Sequence, residues 1–106
     1  MARTGGRLLV DCLAAQGVRR VFGVPGESYL AVLDALYDCQ PQISFVNARN
    51  EGGASFMAEA HGKLTGQPGI AFVTRGPGAT NAAIGIHAAR QASTPMILFV
   101  GQIPLD

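Results

Sequence analysis

Tryptophan is absent, lysine occurs once, at Lys63, and only 14% of the 106 residues are charged. With a formal net charge of +1 and the arginines scattered from Arg3 to Arg90, no basic stripe forms and no aromatics interleave to stack bases. Nucleic acid is thereby excluded as a partner. Apolar stretches are broken by Gly, Pro or charge well short of the ~20 residues of a membrane span. The opening Met1-Ala2-Arg3-Thr4-Gly5-Gly6 lacks the apolar core of a signal peptide, so the expectation is a cytoplasmic protein without a membrane partner. Cys12 and Cys39 are far apart and form no Cys-x-x-Cys pair. Each falls on the apolar side of an expected helix and reads as a buried thiol acting as a small hydrophobe.

Phosphate-binding signatures are missing as well. Lys63 is followed by Leu64, which excludes a Walker loop, and Gly76-x-Gly78 continues to Asn81 where a dinucleotide fingerprint needs its third glycine. His61 and His87 stand on separate expected helices, without a second metal ligand at i+4 and without a Gly-x-Ser-x-Gly turn. They read as ordinary core or surface histidines, and no metal site is expected within the chain.

Apolar residues, by contrast, make up 48% of the chain. So apolar a balance in one small domain implies surface covered by another subunit or domain. The pattern alternates helix and strand. A helix from Thr4 or a neighbouring Gly to Gln16 places Leu8, Leu9, Cys12 and Leu13 on one face, and Gly17 is placed to stop it. Arg20 to Val24 reads as a strand. Tyr29, Val32, Leu33 and Leu36 then repeat at helical spacing up to Cys39-Gln40-Pro41. Ile43 to Asn47 is a second strand. A helix from Glu51 to Leu64 follows, with Ala54, Met57, Ala60 or His61, and Leu64 inward, closed by Gly66; Glu59 reads as a surface residue. Ile70 to Thr74 is a third strand, Ala79 to Arg90 a small-residue helix, and Met96 to Val100 a continuous apolar run suited to a strand buried on both faces. This alternation predicts an α/β fold, a doubly wound parallel sheet with helices on both faces.

Three loops share a strand-to-helix grammar: Gly23-Val24-Pro25-Gly26-Glu27, Asn47-Ala48-Arg49-Asn50-Glu51 and Gly76-Pro77-Gly78-Ala79-Thr80-Asn81. All three are expected to open on one edge of the sheet and outline a pocket. Glu51 begins its helix, where unpaired N–H groups favour a carboxylate, and Gly52-Gly53-Ala54 leave room for a ligand. On its own, a helix-initial Glu also fits simple stabilisation of the helix dipole.

Val21-Phe22-Gly23-Val24-Pro25-Gly26, Arg49-Asn50-Glu51-Gly52-Gly53-Ala54, Thr65-Gly66-Gln67-Pro68-Gly69, Gly76-Pro77-Gly78-Ala79-Thr80-Asn81 and Val100-Gly101-Gln102 together resemble the N-terminal pyrimidine-binding domain of thiamine-diphosphate enzymes, in the acetolactate synthase-like branch. The resemblance covers nearly the whole chain. It implies decarboxylation of a 2-oxo acid followed by carboligation, with thiamine diphosphate as cofactor. By resemblance, Glu51 matches the acid that hydrogen-bonds N1′ of the aminopyrimidine and promotes the cofactor's self-deprotonation at C2. Val24, Pro25, Gly26, Thr74, Pro77 and Asn81 are carried over as lining that ring. Tight βα turns also explain them, and Asn81 also fits a first-turn capping role. Gln102 matches a glutamine near the reacting substrate carbon, where its amide can steady an oxyanion; a polar strand-end residue satisfied by backbone is the other reading.

The chain departs from the branch at two positions: Asn50 stands where His is usual and Glu27 where Gly is usual. No adjacent His-His pair of the pyruvate decarboxylase type occurs. The Gly-Asp-Gly and following Asn through which such enzymes bind Mg²⁺ and the diphosphate are also absent. The resemblance therefore implies a diphosphate-binding domain from a second subunit, a homo-oligomer, and residues 1–106 as a single, incomplete domain that does not turn over alone. A standalone pyrimidine-domain subunit and a non-catalytic interaction module are the alternatives. The particular 2-oxo acid, the acceptor and a flavin (FAD) stay open.

Overall fold

The computed structural model describes residues 2–105. Helix α1 (Gly5–Ala15) starts where the Thr4 hydroxyl accepts a hydrogen bond from the Arg7 N–H at 3.0 Å, and Gly17, at φ +82°, turns the chain out of it. Strand β1 (Arg20–Gly23) leads through a 3₁₀ turn (Glu27–Tyr29) into α2 (Leu30–Asp38), and β2 (Ser44–Asn47) follows. Helix α3 (Glu51–Thr65) is capped by the Asn50 side chain and closed by left-handed Gly66. Strand β3 (Gly69–Val73), helix α4 (Pro77–Ala92) and β4 (Met96–Val100) complete the chain. Pro77 is tolerated at the start of α4 because its missing N–H has no helical partner there.

All four strands are parallel, in the order β2-β1-β3-β4. Phe22 lies opposite Ala71, and Ile70 opposite Ile97. Right-handed crossovers place α2 on one face and α3 and α4 on the other, and α1, ahead of β1, packs beside α2. The pleat sorts the core accordingly. Val21, Ile70 and Phe72 point toward Val10, Leu13, Ala35 and Leu36, whereas Phe22 and Ala71 meet Ala54 and Ala58. Each fully buried large side chain, such as Val21 or Phe72, contributes roughly 1.5–3 kcal/mol by leaving water. The doubly wound parallel architecture expected from the sequence is present.

Several details differ from expectation. In α1 the buried face is Gly6, Val10 and Leu13, while Leu8 and Cys12 are exposed and Cys39 is only half-buried. The cause is Gly6, whose missing side chain lets α1 lie on the backbone of α2 at Ala31 and rotates the inward stripe. Helix α3 is buried on two sides, toward the sheet through Ala54 and Ala58 and toward α4 and the Thr94–Pro95 connection that follows it through Gly52, Ser55 and Gly62. Leu64, expected inward, is 86% exposed. Glu59, expected at the surface, is 6% exposed; it accepts hydrogen bonds from the Thr94 hydroxyl at 2.7 Å and Lys63 at 3.2 Å. Strand β4 is an edge of this sheet, and its Ile97 and Val100 are 43% and 44% exposed. Among the described residues no helix is long and apolar enough to cross a membrane.

Candidate functional site

The connection after β1 leads to one side of the sheet and that after β3 to the other, so a crevice opens beyond the carboxyl ends of these two central strands. Helix α3 crosses from β2 over β1 to β3, which brings its first residue, Glu51, to that crevice. Asn50 fixes the start: its side-chain oxygen accepts from the Gly52 N–H at 2.7 Å. The N-termini of α3 and α4 converge there, with Gly52 close against the Asn81 carbonyl, so two sets of unpaired helix N–H groups favour negative charge.

The half-buried Glu51 carboxylate is held on one side only. Its Oε1 accepts a hydrogen bond from Asn81 Nδ2 at 3.1 Å. Its Oε2 faces Gly78, where an added Cβ would lie 3.4 Å away and also 2.9 Å from Thr74 Cγ2. Thr74 in turn shares a hydrogen bond with Ser28, Oγ to Oγ1, at 2.6 Å. Gly26 sits against Thr74, with room for no side chain: a Cβ there would be 2.7 Å from Thr74 Cβ. Val24 is fixed by Tyr29, whose buried hydroxyl donates to the Val24 carbonyl while its ring stacks on Phe72 at 5.8 Å. Burial, and secondarily the charge of Glu51, push the Tyr29 phenol up to about 12. It remains a hydrogen-bond donor throughout the neutral range.

The structure thus joins Glu51 to Asn81 and Gly26 to Thr74 by direct contact, links these two pairs through Gly78, and ties Val24 in through Tyr29. Pro77 lines a cavity of about 370 Å³ with Gly26, Glu27, Thr74 and Arg75 but without Glu51 or Asn81, and Pro25 lies exposed between Val24 and Gly26. Gln102 stands apart. It borders a different cavity, of about 480 Å³, with Glu27, Ser28 and Arg75, and its side-chain oxygen accepts from the Ile103 N–H at 2.9 Å. Gly101 anchors this segment by donating its N–H to the Val73 carbonyl at 2.9 Å. No hydrogen bond among the described residues joins Gln102 to Glu51, Thr74 or Asn81.

Sequence reasoning missed Ser28, Tyr29 and Arg75. Tyr29 was absorbed into the apolar stripe of α2, although a tyrosine just past a Gly-containing turn has a hydroxyl needing a partner. Glu27, a departure from the related branch, pairs with Arg75 at 3.0 Å and so ties the loop after β1 to the loop after β3.

The residues present fit an aminopyrimidine. The ring needs an acid with an oxygen free of hydrogen bonds, which is Glu51 Oε2, and loops that close tightly beside it, which Gly26 and Gly78 allow by packing directly on Thr74. Residues 3–106 match the family of the N-terminal TPP binding domain of thiamine pyrophosphate enzymes. The chain is 48% identical to an acetolactate synthase of Bacillus subtilis over 99 residues, 93% of this chain and 17% of that protein. It is 41% identical to a mitochondrial acetolactate synthase catalytic subunit of Aspergillus candidus over 98% of this chain and 15% of that protein. It is 42% identical to the large subunit of acetolactate synthase isozyme 1 of Escherichia coli over 95% of this chain and 18% of that protein. The chain therefore spans less than a fifth of the length of these curated relatives, and it belongs to the family of N-terminal TPP-binding domains of thiamine pyrophosphate enzymes.

Proposed function

We propose that the chain forms the aminopyrimidine-binding half of an acetolactate synthase-like active centre, in which Glu51 is the catalytic acid. The observation that carries this reading is the asymmetric carboxylate of Glu51, one oxygen held by Asn81 and the other, beside Gly78, without a hydrogen-bond partner among the described residues. When bound, thiamine diphosphate supplies a nucleophilic thiazolium carbon and an electron sink for loss of CO₂ from a 2-oxo acid. The chain's own contribution is to position and exchange a proton. Asn81 orients the Glu51 carboxyl so that its free oxygen meets N1′ of the ring. Val24, held by Tyr29, presents backbone groups to the ring edge, while Pro25, Gly26, Thr74 and Pro77 shape the slot. Gln102, on the far side of Ser28, steadies developing negative charge on the substrate. Mg²⁺ and the diphosphate are held by a second domain contributed by a partner subunit of a homo-oligomer. Acetolactate formation from pyruvate by the protein carrying this sequence, dependent on added thiamine diphosphate, is the expected result. Absence of cofactor-dependent consumption of pyruvate and of its longer 2-oxo acid homologues would overturn the assignment.

A further inference from the structure

At the amino edge of the sheet, opposite the strand ends that carry the Glu51 crevice, a cavity of about 340 Å³ lies between the end of α1, the end of α3 and the starts of β1, β3 and β4. We propose that this cavity is a binding site for a small amphipathic carboxylate, a compact apolar body with one anionic end. Its size falls within the roughly 300–1,000 Å³ of small-molecule pockets. Leu13, Ile70 and Ile97 supply apolar wall, and Arg19, Arg20 and His61 border it.

The charge distribution selects the ligand. Arg3, Arg7 and Arg75 each engage a carboxylate, whereas Arg19, Arg20, Arg49 and Arg90 have neither an ion pair nor a side-chain hydrogen bond among the described residues, and of these four Arg19 and Arg20 line this cavity. No Asp or Glu lines the cavity. Both guanidinium groups border the cavity without a counter-charge on its wall, and a carboxylate bound there would accept charge-assisted hydrogen bonds from them. A bare inorganic anion would leave the apolar wall wet, and a neutral hydrocarbon would leave the guanidinium pair unneutralised. Only a molecule with both parts satisfies the whole lining.

The frame is rigid. Arg20 begins β1 in register with Ser44, and the Arg19 carbonyl accepts the Ser44 N–H at 3.0 Å. His61 is held edge-to-face on Phe22, ring centroids 5.8 Å apart. The site is also separate from the crevice: ten residues of α3 between Glu51 and His61 correspond to about 15 Å of helix.

Phenylacetate is the probe, with acetate and 2-phenylethanol as its two halves, and saturation-transfer NMR on the ligand reads binding to the protein carrying this sequence at any length. Phenylacetate is expected to bind more tightly than either half and to protect segments 13–20 and 61–70 from hydrogen–deuterium exchange. In Arg19→Gln/Arg20→Gln, whose side chains are exposed, phenylacetate should weaken about tenfold or more, the scale of one charge-assisted pair, with 2-phenylethanol unchanged. Should that variant misfold, Ile97→Glu at the exposed edge strand introduces a repelling carboxylate and should abolish phenylacetate binding. Binding of acetate as tight as phenylacetate, protection confined to other segments, or undiminished phenylacetate binding in a folded variant would each overturn the proposal.

Discussion

Glu51 lies where two helix N-termini meet, and its only side-chain partner among the described residues is a neutral amide. Glu51→Gln keeps the shape and the Asn81 contact but removes the exchangeable proton. Loss of a proton-transfer group costs about 10²–10⁴-fold in rate. We expect the upper end, with oligomer assembly intact, and hydrogen–deuterium exchange at C2 of bound thiamine diphosphate is the measurement that isolates this step. The control has to be chosen from the structure. Glu59, which its helical position marks as a surface acid, is buried against Thr94 and Lys63, so its loss would disturb the fold itself. Asp34, on α2 and away from the crevice, is the suitable carboxylate: Asp34→Asn should exchange normally, and equal impairment of the two variants would remove Glu51 from its role. Tyr29 acts through another group. Tyr29→Phe leaves the Val24 carbonyl without its donor, so stability should fall by about 1–3 kcal/mol and cofactor affinity should weaken with it, whereas unchanged affinity would detach Val24 from the ring.

At the scale of elements, the order and type of the α-helices and strands were legible because periodicity, caps and breakers agree along the chain: Thr4, Gly17 and Gly66 mark the ends where the structure has them. What was not legible is which side of a small-residue helix is buried. Helix α3 is pressed between the sheet and α4, and glycine or alanine positions carry too little hydrophobic signal to reveal the second buried face. Gly85 of α4 faces Ser55 so closely that a Cβ would overlap its side chain and lie 2.6 Å from its backbone carbon. Gly85→Ala is therefore expected to destabilise by about 1–3 kcal/mol through overpacking, readable as a lowered urea midpoint. The same seam carries a pH dependence. The Thr94 hydroxyl, and then Lys63, hold the Glu59 carboxyl below its usual value of 4.5. A depressed folded-state value means the contribution is present above the unfolded value and fades as pH falls through the folded one. The stability gap between the parent chain and Glu59→Gln should accordingly be largest near neutrality and close in the acid range; a gap that stays constant on acidification would contradict this coupling.

For the whole molecule, the question is how much of a cofactor these residues can hold unaided. Under the proposed reading, the crevice offers an aminopyrimidine Glu51, Asn81, Thr74 and the Val24 turn, and nothing for the rest of the cofactor. The loop signatures that would take a diphosphate are absent from the sequence, and no cluster of metal-ligating side chains occurs among the described residues. A small ring with few polar contacts gives little affinity once the loss of translational and rotational freedom, on the order of 4–15 kcal/mol, is subtracted. Exposed Phe56 and Leu64 on α3, Ile84 and Ile86 on α4, and Val100 on β4 leave apolar surface on that face and at the sheet edge, where a covering domain would also shield the crevice from water. The 106-residue chain by itself should therefore show weak or unmeasurable binding of thiamine diphosphate by calorimetry, with or without Mg²⁺. It should also self-associate as its concentration rises. Tight, stoichiometric and Mg²⁺-dependent binding to the monomeric chain would show that the diphosphate site lies within these residues after all.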